Sequence, residues 1–250
     1  MKINIISQNV MCWEKENVGT YEIRRPLLKN VFRNYGADII GMQEVTERWE
    51  KYFDNDLHDF GKFLVYRGKN NKEAVPIYWR KDKLEVVDSG YFWLSETPER
   101  ESYGWCAGCL RITCWILFRC KETGKEFTFV NTHLDHISKE ARINGLQLIY
   151  DFIEKRFGKD FPLILTGDFN AQPNSETISK ADILLNSARN IAKKTTDEIT
   201  FHGYSKDSGQ IIDYIYLSRS ITCNQFTIIK EFNDGIPQSD HYGIMAEIDI

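Results

Sequence analysis

The sequence predicts one strand-rich α/β domain with mixed sheets, spanning residues 1–250. Three observations carry this. Apolar residues switch repeatedly between the alternation of strands and the three-to-four spacing of helices. Both the segments and the loops between them are short. The chain also has no Pro/Gly/Ser-rich linker, no block of like charge and no internal repeat of the ~20–50-residue kind that marks solenoids.

Each element has a local cause. Lys2 to Gln8 reads as a first strand closing at Asn9. Ile23, Leu27, Val31 and Tyr35 fall on one helical face, and Gly36 stops that helix. Asp38 to Gln43 is a short buried strand with Glu44 at its end. Thr46 is placed to cap a helix carrying Trp49, Phe53 and Leu57 on one face, with His58 at its C-terminus. Strands are expected near Phe63–Tyr66, Val75–Trp79 and Leu84–Leu94. Leu110–Arg119 and Glu126–His133 form a hairpin across Lys121-Glu-Thr-Gly-Lys125. A helix from Ser138 to Phe157 turns Leu146, Ile149, Tyr150 and Ile153 inward and stops at Gly158. Pro162 to Thr166 is a buried strand ending at Gly167-Asp168, and a short helix follows near Ser175 to Leu185. Ile211–Leu217, Gln225–Glu231 and Tyr242–Ile250 complete the strands.

Composition excludes several classes. With 42% hydrophobic and 27% charged residues, the chain is neither disordered nor collagen-like. Its length suffices to bury roughly three quarters of the unfolded surface without disulfides. Lys plus Arg number 32 and Asp plus Glu 36, a net charge of −4, so any grip on nucleic acid needs a local basic patch. No run approaches the ~18 apolar residues of a membrane span, and no secretory signal pattern is seen. The expectation is a cytoplasmic protein with no membrane contact and no obligate protein partner.

The cysteines Cys12, Cys106, Cys109, Cys114, Cys120 and Cys223 then sit in a reducing compartment. Cys106-Ala-Gly-Cys109 lacks the second pair or histidines that complete a zinc cage. Cys114 falls on the alternating face Ile112, Cys114, Ile116, Phe118. Buried or partly buried thiols are the expectation for all six.

The chemistry-bearing residues gather at strand ends, where α/β sheets build their sites. Asn9 and Glu44 close the first two strands. His133 and Asp135 follow Phe129-Val-Asn-Thr, and Asp168 and Asn170 close Leu163-Ile-Leu-Thr-Gly. Asp213 opens a strand and Asp240-His241 precedes the last. Taken singly, each has a structural explanation, since Asn and Asp form turns and cap helices. As a set, Glu, Asp and Asn oxygens suit Mg²⁺, and the two histidines suit proton handling or phosphate contact. No G-x-S-x-G elbow, Walker A loop or G-x-G-x-x-G is present.

In this order the pieces resemble the endonuclease/exonuclease/phosphatase superfamily, which includes DNase I, abasic endonucleases, neutral sphingomyelinases, inositol polyphosphate 5-phosphatases and Ccr4-type deadenylases. The pieces are Gln8-Asn9, Asp38-Ile-Ile-Gly-Met-Gln43-Glu44, Asn131-Thr-His133-Leu, Thr166-Gly-Asp168-Phe-Asn170, Ile212-Asp213-Tyr-Ile and Ser239-Asp240-His241. The stretch Gly90-Tyr-Phe-Trp-Leu-Ser-Glu-Thr-Pro98, Thr200-Phe-His-Gly203 and the run ending at His136 resemble a bacterial subgroup near the Ccr4-type and nocturnin-like branch. The resemblance implies a four-layer α/β sandwich, two packed mixed β-sheets flanked by helices, with the site at one end of the sheets.

It also implies roles. Glu44 is the principal Mg²⁺ ligand, with Mn²⁺ as a substitute, and Asn9 and Asp240 belong to the metal's surroundings. Asp168 positions and deprotonates the attacking water. Asn170 donates to the phosphate, and His241 contacts the scissile phosphoryl oxygen while Asp213 holds its ring. His133 matches a phosphate-contacting histidine. Arg111, His136, Arg142, Glu73 and His202 are further substrate-binding candidates. For Tyr91, Trp93, Tyr103 and Trp105, core packing competes with base stacking.

The leading functional expectation is a Mg²⁺-dependent phosphodiesterase acting on single-stranded nucleic acid or nucleotides, in the manner of a 3′–5′ RNA exonuclease. The alternative is a small-molecule or lipid-headgroup phosphoesterase, as in the sphingomyelinase and inositol phosphatase branches. A non-catalytic binding module predicts broken catalytic positions, and all six pieces are intact.

Overall fold

Alternate residues of single strands pack in two different places, and this generates the layers. The computed structural model describes residues 1–14, 19–205 and 208–250. In chain order its principal elements are β1 (Lys2–Asn9), α1 (Tyr21–Asn34), β2 (Ile39–Gln43), α2 (Glu47–Asp56), β3 (Phe60–Phe63), β4 (Ile77–Arg80), β5 (Leu84–Trp93), β6 (Ile112–Cys120), β7 (Glu126–His133), α3 (Lys139–Phe157), β8 (Leu163–Asp168), α4 (Glu176–Leu184), β9 (Asp213–Leu217), β10 (Thr222–Ile229) and β11 (Gly243–Asp249). One sheet has the order β10-β11-β1-β2-β4-β3, with Lys194–Thr195 added beside β10. The other has the order β9-β8-β7-β6-β5, with Asn186–Ser187 added beside β9. Both are mixed: β1 runs parallel to β2 but antiparallel to β11, and β7 runs parallel to β8 but antiparallel to β6.

Ile3 and Ile5 of β1 pack against Ile112, Cys114, Ile116 and Phe118 of β6 and Phe127 and Phe129 of β7, in a core shared by the two sheets. Ile6, one position on, faces the other way and joins Leu28, Val31 and Phe32 of α1 and Trp49 and Phe53 of α2. On the far side, Trp115, Val130 and Leu165 pack under Leu146, Ile149 and Ile153 of α3 and Ile178 of α4. Helices, sheet, sheet, helices: this is the expected sandwich, and the alternating face of β6 lies in its centre.

Local details differ from the sequence reading. The stretch expected as a strand at Phe63–Tyr66 is split between β3 and a small hairpin of Tyr66–Gly68 and Asn71–Ala74, which pairs with Val45–Thr46. Thr46 occupies the position before α2 and its backbone joins that strand pairing, yet its side chain makes no capping hydrogen bond. Tyr35 and Tyr150 are only half-buried. Ser138 and Ser175 do cap α3 and α4, accepting from the Ala141 and Ile178 amides. His58 sits at the end of α2, with Nδ1 3.3 Å from the Asn55 carbonyl. The cysteines are free thiols, and Cys106 is exposed rather than buried.

Near the functional end, polar groups cross the gap between the sheets. Gln43 donates from Nε2 to Asn131 Oδ1 at 2.7 Å, Asn131 donates to the carbonyls of Met42 and Pro76, and the Thr166 hydroxyl donates to Asn131 Oδ1 at 3.1 Å. These buried groups pair with one another, although Gln43 Oε1 is left without a partner. Gly41 makes room for them: a Cβ there would stand 2.6 Å from Thr166 Oγ1 and 2.7 Å from Asn131 Oδ1. Gly41→Ala is therefore expected to destabilise the fold by ~1–3 kcal/mol through overpacking. Urea unfolding measures it, and an unchanged midpoint would contradict this account of the close approach.

Candidate active site

Strand register assembles the site. His133 pairs with Asp168 across parallel β7 and β8, and Asp168 pairs with Asp213 across β8 and β9. Neighbouring strands lie ~4.8 Å apart, so three reactive side chains form a row at one sheet's edge. In the facing sheet Asn9 pairs with Gln43, next to Glu44. His241 precedes β11, and Gln8 of adjacent β1 donates from Nε2 to its carbonyl at 3.2 Å. Residues from both ends of the sequence thus meet at one end of the sandwich.

Asn9 joins the two sheets' acids. Its Nδ2 lies 3.0 Å from Glu44 Oε1 and 3.1 Å from Asp168 Oδ2, and its Oδ1 accepts from the Met11 amide at 3.0 Å. Its oxygen is therefore engaged by the backbone, and its nitrogen faces the carboxylates. Glu44 Oε2 accepts from the Cys12 amide at 2.8 Å. Burial opposes the Glu44 charge, but the Cys12 amide, the Asn9 amide and the His241 charge hold the carboxyl below its usual range. Glu44 has φ 61° and Asn170 has φ 47°, left-handed conformations that non-glycine residues adopt rarely and mostly at functional sites.

Asp168 lies at the centre, with Oδ2 3.5 Å from His133 Nε2 and 3.7 Å from His241 Nε2. Burial first, then the Asp213 charge, pushes its pKa up to about 7. The two histidines diverge. Burial works against a charge on His241, but Asp213 Oδ2 sits 2.9 Å from its Nδ1 and, with Asp168 and Asp240, pushes its pKa up to about 10. His133 is driven well below the usual imidazole range by burial and then by Arg111 and Arg67. It is neutral, which suits its Nε2 accepting from Asn170 Nδ2 at 3.1 Å. The same Asn170 nitrogen donates to the Leu134 carbonyl at 3.1 Å, and the Asn170 amide N–H is held by Asp168 Oδ1.

The second-tier candidates divide. Glu73, Arg111 and His133 line one small cavity with Arg67. Glu73 accepts from Arg67 at 2.6 Å and lies 3.9 Å from His133 Nδ1, and burial raises its pKa. His136 is exposed, with Nδ1 3.3 Å from Arg111 Nη2. Arg142 donates to the Asp135 carbonyl at 2.8 Å. His202 stands apart from this cluster: it stacks on Tyr242, accepts from the Tyr204 amide at Nδ1, and lines an open cavity of about 530 Å³ beside the Asp240-His241 loop. Among the aromatics, Trp93 is held by a hydrogen bond to the Arg67 carbonyl, whereas Tyr91 and Tyr103 are exposed.

Sequence reasoning missed Arg24, Arg67 and the role of Asp135. Arg24 is fully buried on α1, donates to the carbonyls of Val10, Met11 and Trp13, and so fixes the loop that presents Cys12 to Glu44. Its spacing of three from Tyr21 and four from Leu28 puts it on the buried face, which was the available signal.

The donor set fits a divalent cation. Among the described residues, no Lys or Arg ion-pairs with Glu44, Asp168, Asp213 or Asp240. Ligand atoms of Asp168, Asp213 and His241 lie within 4.8 Å of one another, and Asp213 Oδ1 is buried with no hydrogen-bond partner. Such an accumulation of acid needs a counterion.

Known proteins resemble this chain along most of its length. Residues 19–241 match the Endonuclease/Exonuclease/phosphatase family. An uncharacterised protein of Acanthamoeba polyphaga mimivirus is 28% identical over 216 residues, 80% of this chain and 79% of that one. Xenopus laevis nocturnin is 25% identical over 224 residues, 80% of this chain and 55% of that one. The chain spans about half the length of the nocturnin and Ccr4 relatives it matches. Among solved structures, an endonuclease/exonuclease/phosphatase from Bacteroides vulgatus superposes with a TM-score of 0.94 at 29% identity, covering 100% of this chain and 99% of that one. A mannosyl-6-phosphatase from Bacteroides thetaiotaomicron gives a TM-score of 0.91 at 29% identity, covering 99% of this chain and 100% of that one.

Proposed function

Because the chain belongs to the endonuclease/exonuclease/phosphatase family, whose members are hydrolases acting on phosphoesters, we propose that it hydrolyses a small phosphoester at the Glu44–Asp168–His241 centre, with Mg²⁺ as its metal. The observation that carries this is the position of Asp168. It lies between a neutral His133 and a cationic His241, and Asn9 ties it to Glu44.

Glu44, with Asp240 and Asp168 beside it, would hold the metal; Mg²⁺, or Mn²⁺ in its place, supplies charge neutralisation of the phosphoryl and leaving oxygens. Asn9 keeps the Glu44 and Asp168 carboxylates in register. Asp168, raised by burial, accepts the proton of the attacking water at its carboxylate. His241 donates from Nε2 to a phosphoryl oxygen, with its ring orientation fixed by Asp213. An oxygen of the substrate replaces His133 Nε2 as acceptor for the Asn170 amide. Arg111, buried beside His133, contributes a further charge-assisted donor.

For the substrate, the end-to-end likeness to the mannosyl-6-phosphatase favours a sugar phosphate or similar small monoester. A nucleotide or the 3′ end of single-stranded nucleic acid is the second reading, favoured by the likeness to a Ccr4 3′–5′ exoribonuclease subunit and to nocturnin. The net charge of −4 agrees with either and disfavours a grip on long duplexes. A panel of hexose 6-phosphates, nucleotides, oligo(A) RNA, sphingomyelin, inositol phosphates and bis-p-nitrophenyl phosphate, each with Mg²⁺, Mn²⁺ or EDTA, tests the proposal. Turnover of hexose phosphates above the other substrates, lost in EDTA and restored by Mg²⁺, is the expected result. Full activity in excess EDTA would sink the metal assignment, and preferential trimming of oligo(A) would replace the first substrate reading by the second.

A further inference from the structure

Asp135 is a buried carboxylate two residues beyond His133, and its bonds run to two separate segments. Oδ1 accepts from the amides of Gly108, Ile137 and Ser138 at 3.1, 3.0 and 2.7 Å. Oδ2 accepts from Gly108 and Cys109 at 3.0 and 3.1 Å. Capping of α3 does not explain this, because Ser138 supplies the cap through its own hydroxyl. Half of the bonded amides belong to the loop that leads directly into Arg111. That loop has unusual backbone: Trp105 and Cys106 take φ of 48° and 58°, and a Cβ on Gly104 would stand 2.5 Å from the Leu94 carbonyl oxygen. Such a conformation persists only where its surroundings fix it. Asp135 is one anchor, and the Ser138 hydroxyl, donating to the Trp105 carbonyl at 2.7 Å, is another.

Arg111 is the group this anchoring serves. It is 5% exposed, and its Nε and Nη1 have no hydrogen-bond partner. Two carboxylates flank it without bonding it: Asp135 Oδ2 is 3.8 Å from Nε and Glu73 Oε1 is 4.0 Å from Nη1. Buried donors of a charged group are costly to leave unmade. Here they are held at charge-pairing distance and left unpaired beside His133.

We infer that Asp135 is a positioning residue that fixes the Arg111 guanidinium, with its Nε and Nη1 N–H groups unpaired, to receive an oxygen of the substrate's phosphate. Asp135 itself touches no substrate. Its carboxylate works at two levels, holding the Gly108–Cys109 backbone that sets where Arg111 emerges and balancing the guanidinium charge so that it stays in place. The inference rests on the phosphoesterase reading above for the identity of the ligand, an anionic phosphoryl group.

The test is a double-mutant cycle read by calorimetric binding of inorganic phosphate in the presence of Mg²⁺, which requires no turnover. Asp135→Asn and Arg111→Met are each expected to weaken phosphate binding about 10-fold, the scale for groups that orient a ligand-contacting side chain. The double variant should bind no more weakly than Arg111→Met alone, because a residue acting through Arg111 has nothing left to position. Multiplying losses, roughly 100-fold in the double variant, would overturn the inference. So would wild-type protein that does not bind phosphate. Asp135→Ser, which keeps an oxygen for the Ser138 and Ile137 amides but no charge, replaces Asp135→Asn if the latter does not fold. If neither folds, Asp135 is a structural anchor and the inference fails. Hydrolysis is recorded in parallel. A coupled cycle without turnover of any phosphoester sinks the functional reading alone, and additive losses with turnover intact sink the positioning role alone.

Discussion

Asp168→Asn is expected to lower kcat about 10³-fold, within the range for loss of a positioned general base, while leaving the urea midpoint no lower than wild type. The asymmetry follows from the surroundings of Asp168. Its Oδ1 accepts the Asn170 backbone amide at 2.9 Å, a bond an asparagine oxygen can keep, and the bond lost is the one from Asn9 Nδ2 to Oδ2. Its charge is favoured by His241 and the Asn170 amide, but burial and the nearby Asp213 oppose it more strongly, which is why its pKa rises to about 7. Asparagine removes that repulsion and with it the basic oxygen that takes the water proton. Glu44 and Asp240 remain, so Mg²⁺ or Mn²⁺ should still bind in calorimetry. A variant that turns over at the wild-type rate would remove Asp168 from the mechanism, and one that loses metal and activity together would make it a ligand first and a base second.

Much of this centre was legible in the sequence because its residues lie where strands stop. A strand end is marked by the loss of apolar alternation, and Asn9, Glu44, His133, Asp168 and Asp213 each occupy such a point. Register then does the rest, since strands that pair in a mixed sheet bring their ends together. Residues whose meaning depends on a distant partner were not legible. Asp135 looks like one more turn-forming aspartate after a strand, and only the folded loop at Gly108 and Cys109 reveals its bonds. Arg67 lies in a short hairpin that alternation alone did not separate from β3. Thr46 illustrates the converse: its type and position suggest a cap, but the strand pairing with Glu73 takes that segment for another purpose. Cys106 is exposed in a loop where Trp105 and Cys106 take left-handed backbone, a conformation that a pattern of residue types does not announce.

The acidity noted in the composition also acquires a location. Glu44, Asp168, Asp213 and Asp240 gather at one end of the sandwich, and His241 is the cation that lies directly against Asp168 and Asp213. Burial raises the pKa of Asp240 as well, with the Glu44 charge adding to the rise and His241 opposing it. A cluster built this way favours whatever brings positive charge to it. A protonated His241 does so from within, and a divalent ion would do so from solvent.

Asp213→Asn tests the internal half of that statement, and its effect should appear chiefly in the pH profile. In the wild type the Asp213 carboxylate, 2.9 Å from Nδ1, is the largest influence holding the proton on His241 against burial. His241 is thus cationic at neutral pH, and activity that needs its Nε2–H should fall only as pH rises toward about 10. In the variant the Asp213 charge is gone while those of Asp168 and Asp240 remain, so the imidazole loses its proton at lower pH than in the wild type. The alkaline limb of kcat/KM should move to lower pH, and above it the rate should fall about 10²–10⁴-fold, the scale seen when a histidine loses the acid that orients and charges it. The sign is fixed by the role. A donor histidine is active below its pKa, so lowering that pKa removes activity from the alkaline side and spares the acid side. A general-base histidine would behave in the opposite way, active above its pKa, and Asp213→Asn would then extend activity toward acid. Rates of hydrolysis of a chromogenic phosphoester between pH 5 and 11 distinguish the two, and an unmoved alkaline limb would show that the His241 charge has no part in the reaction.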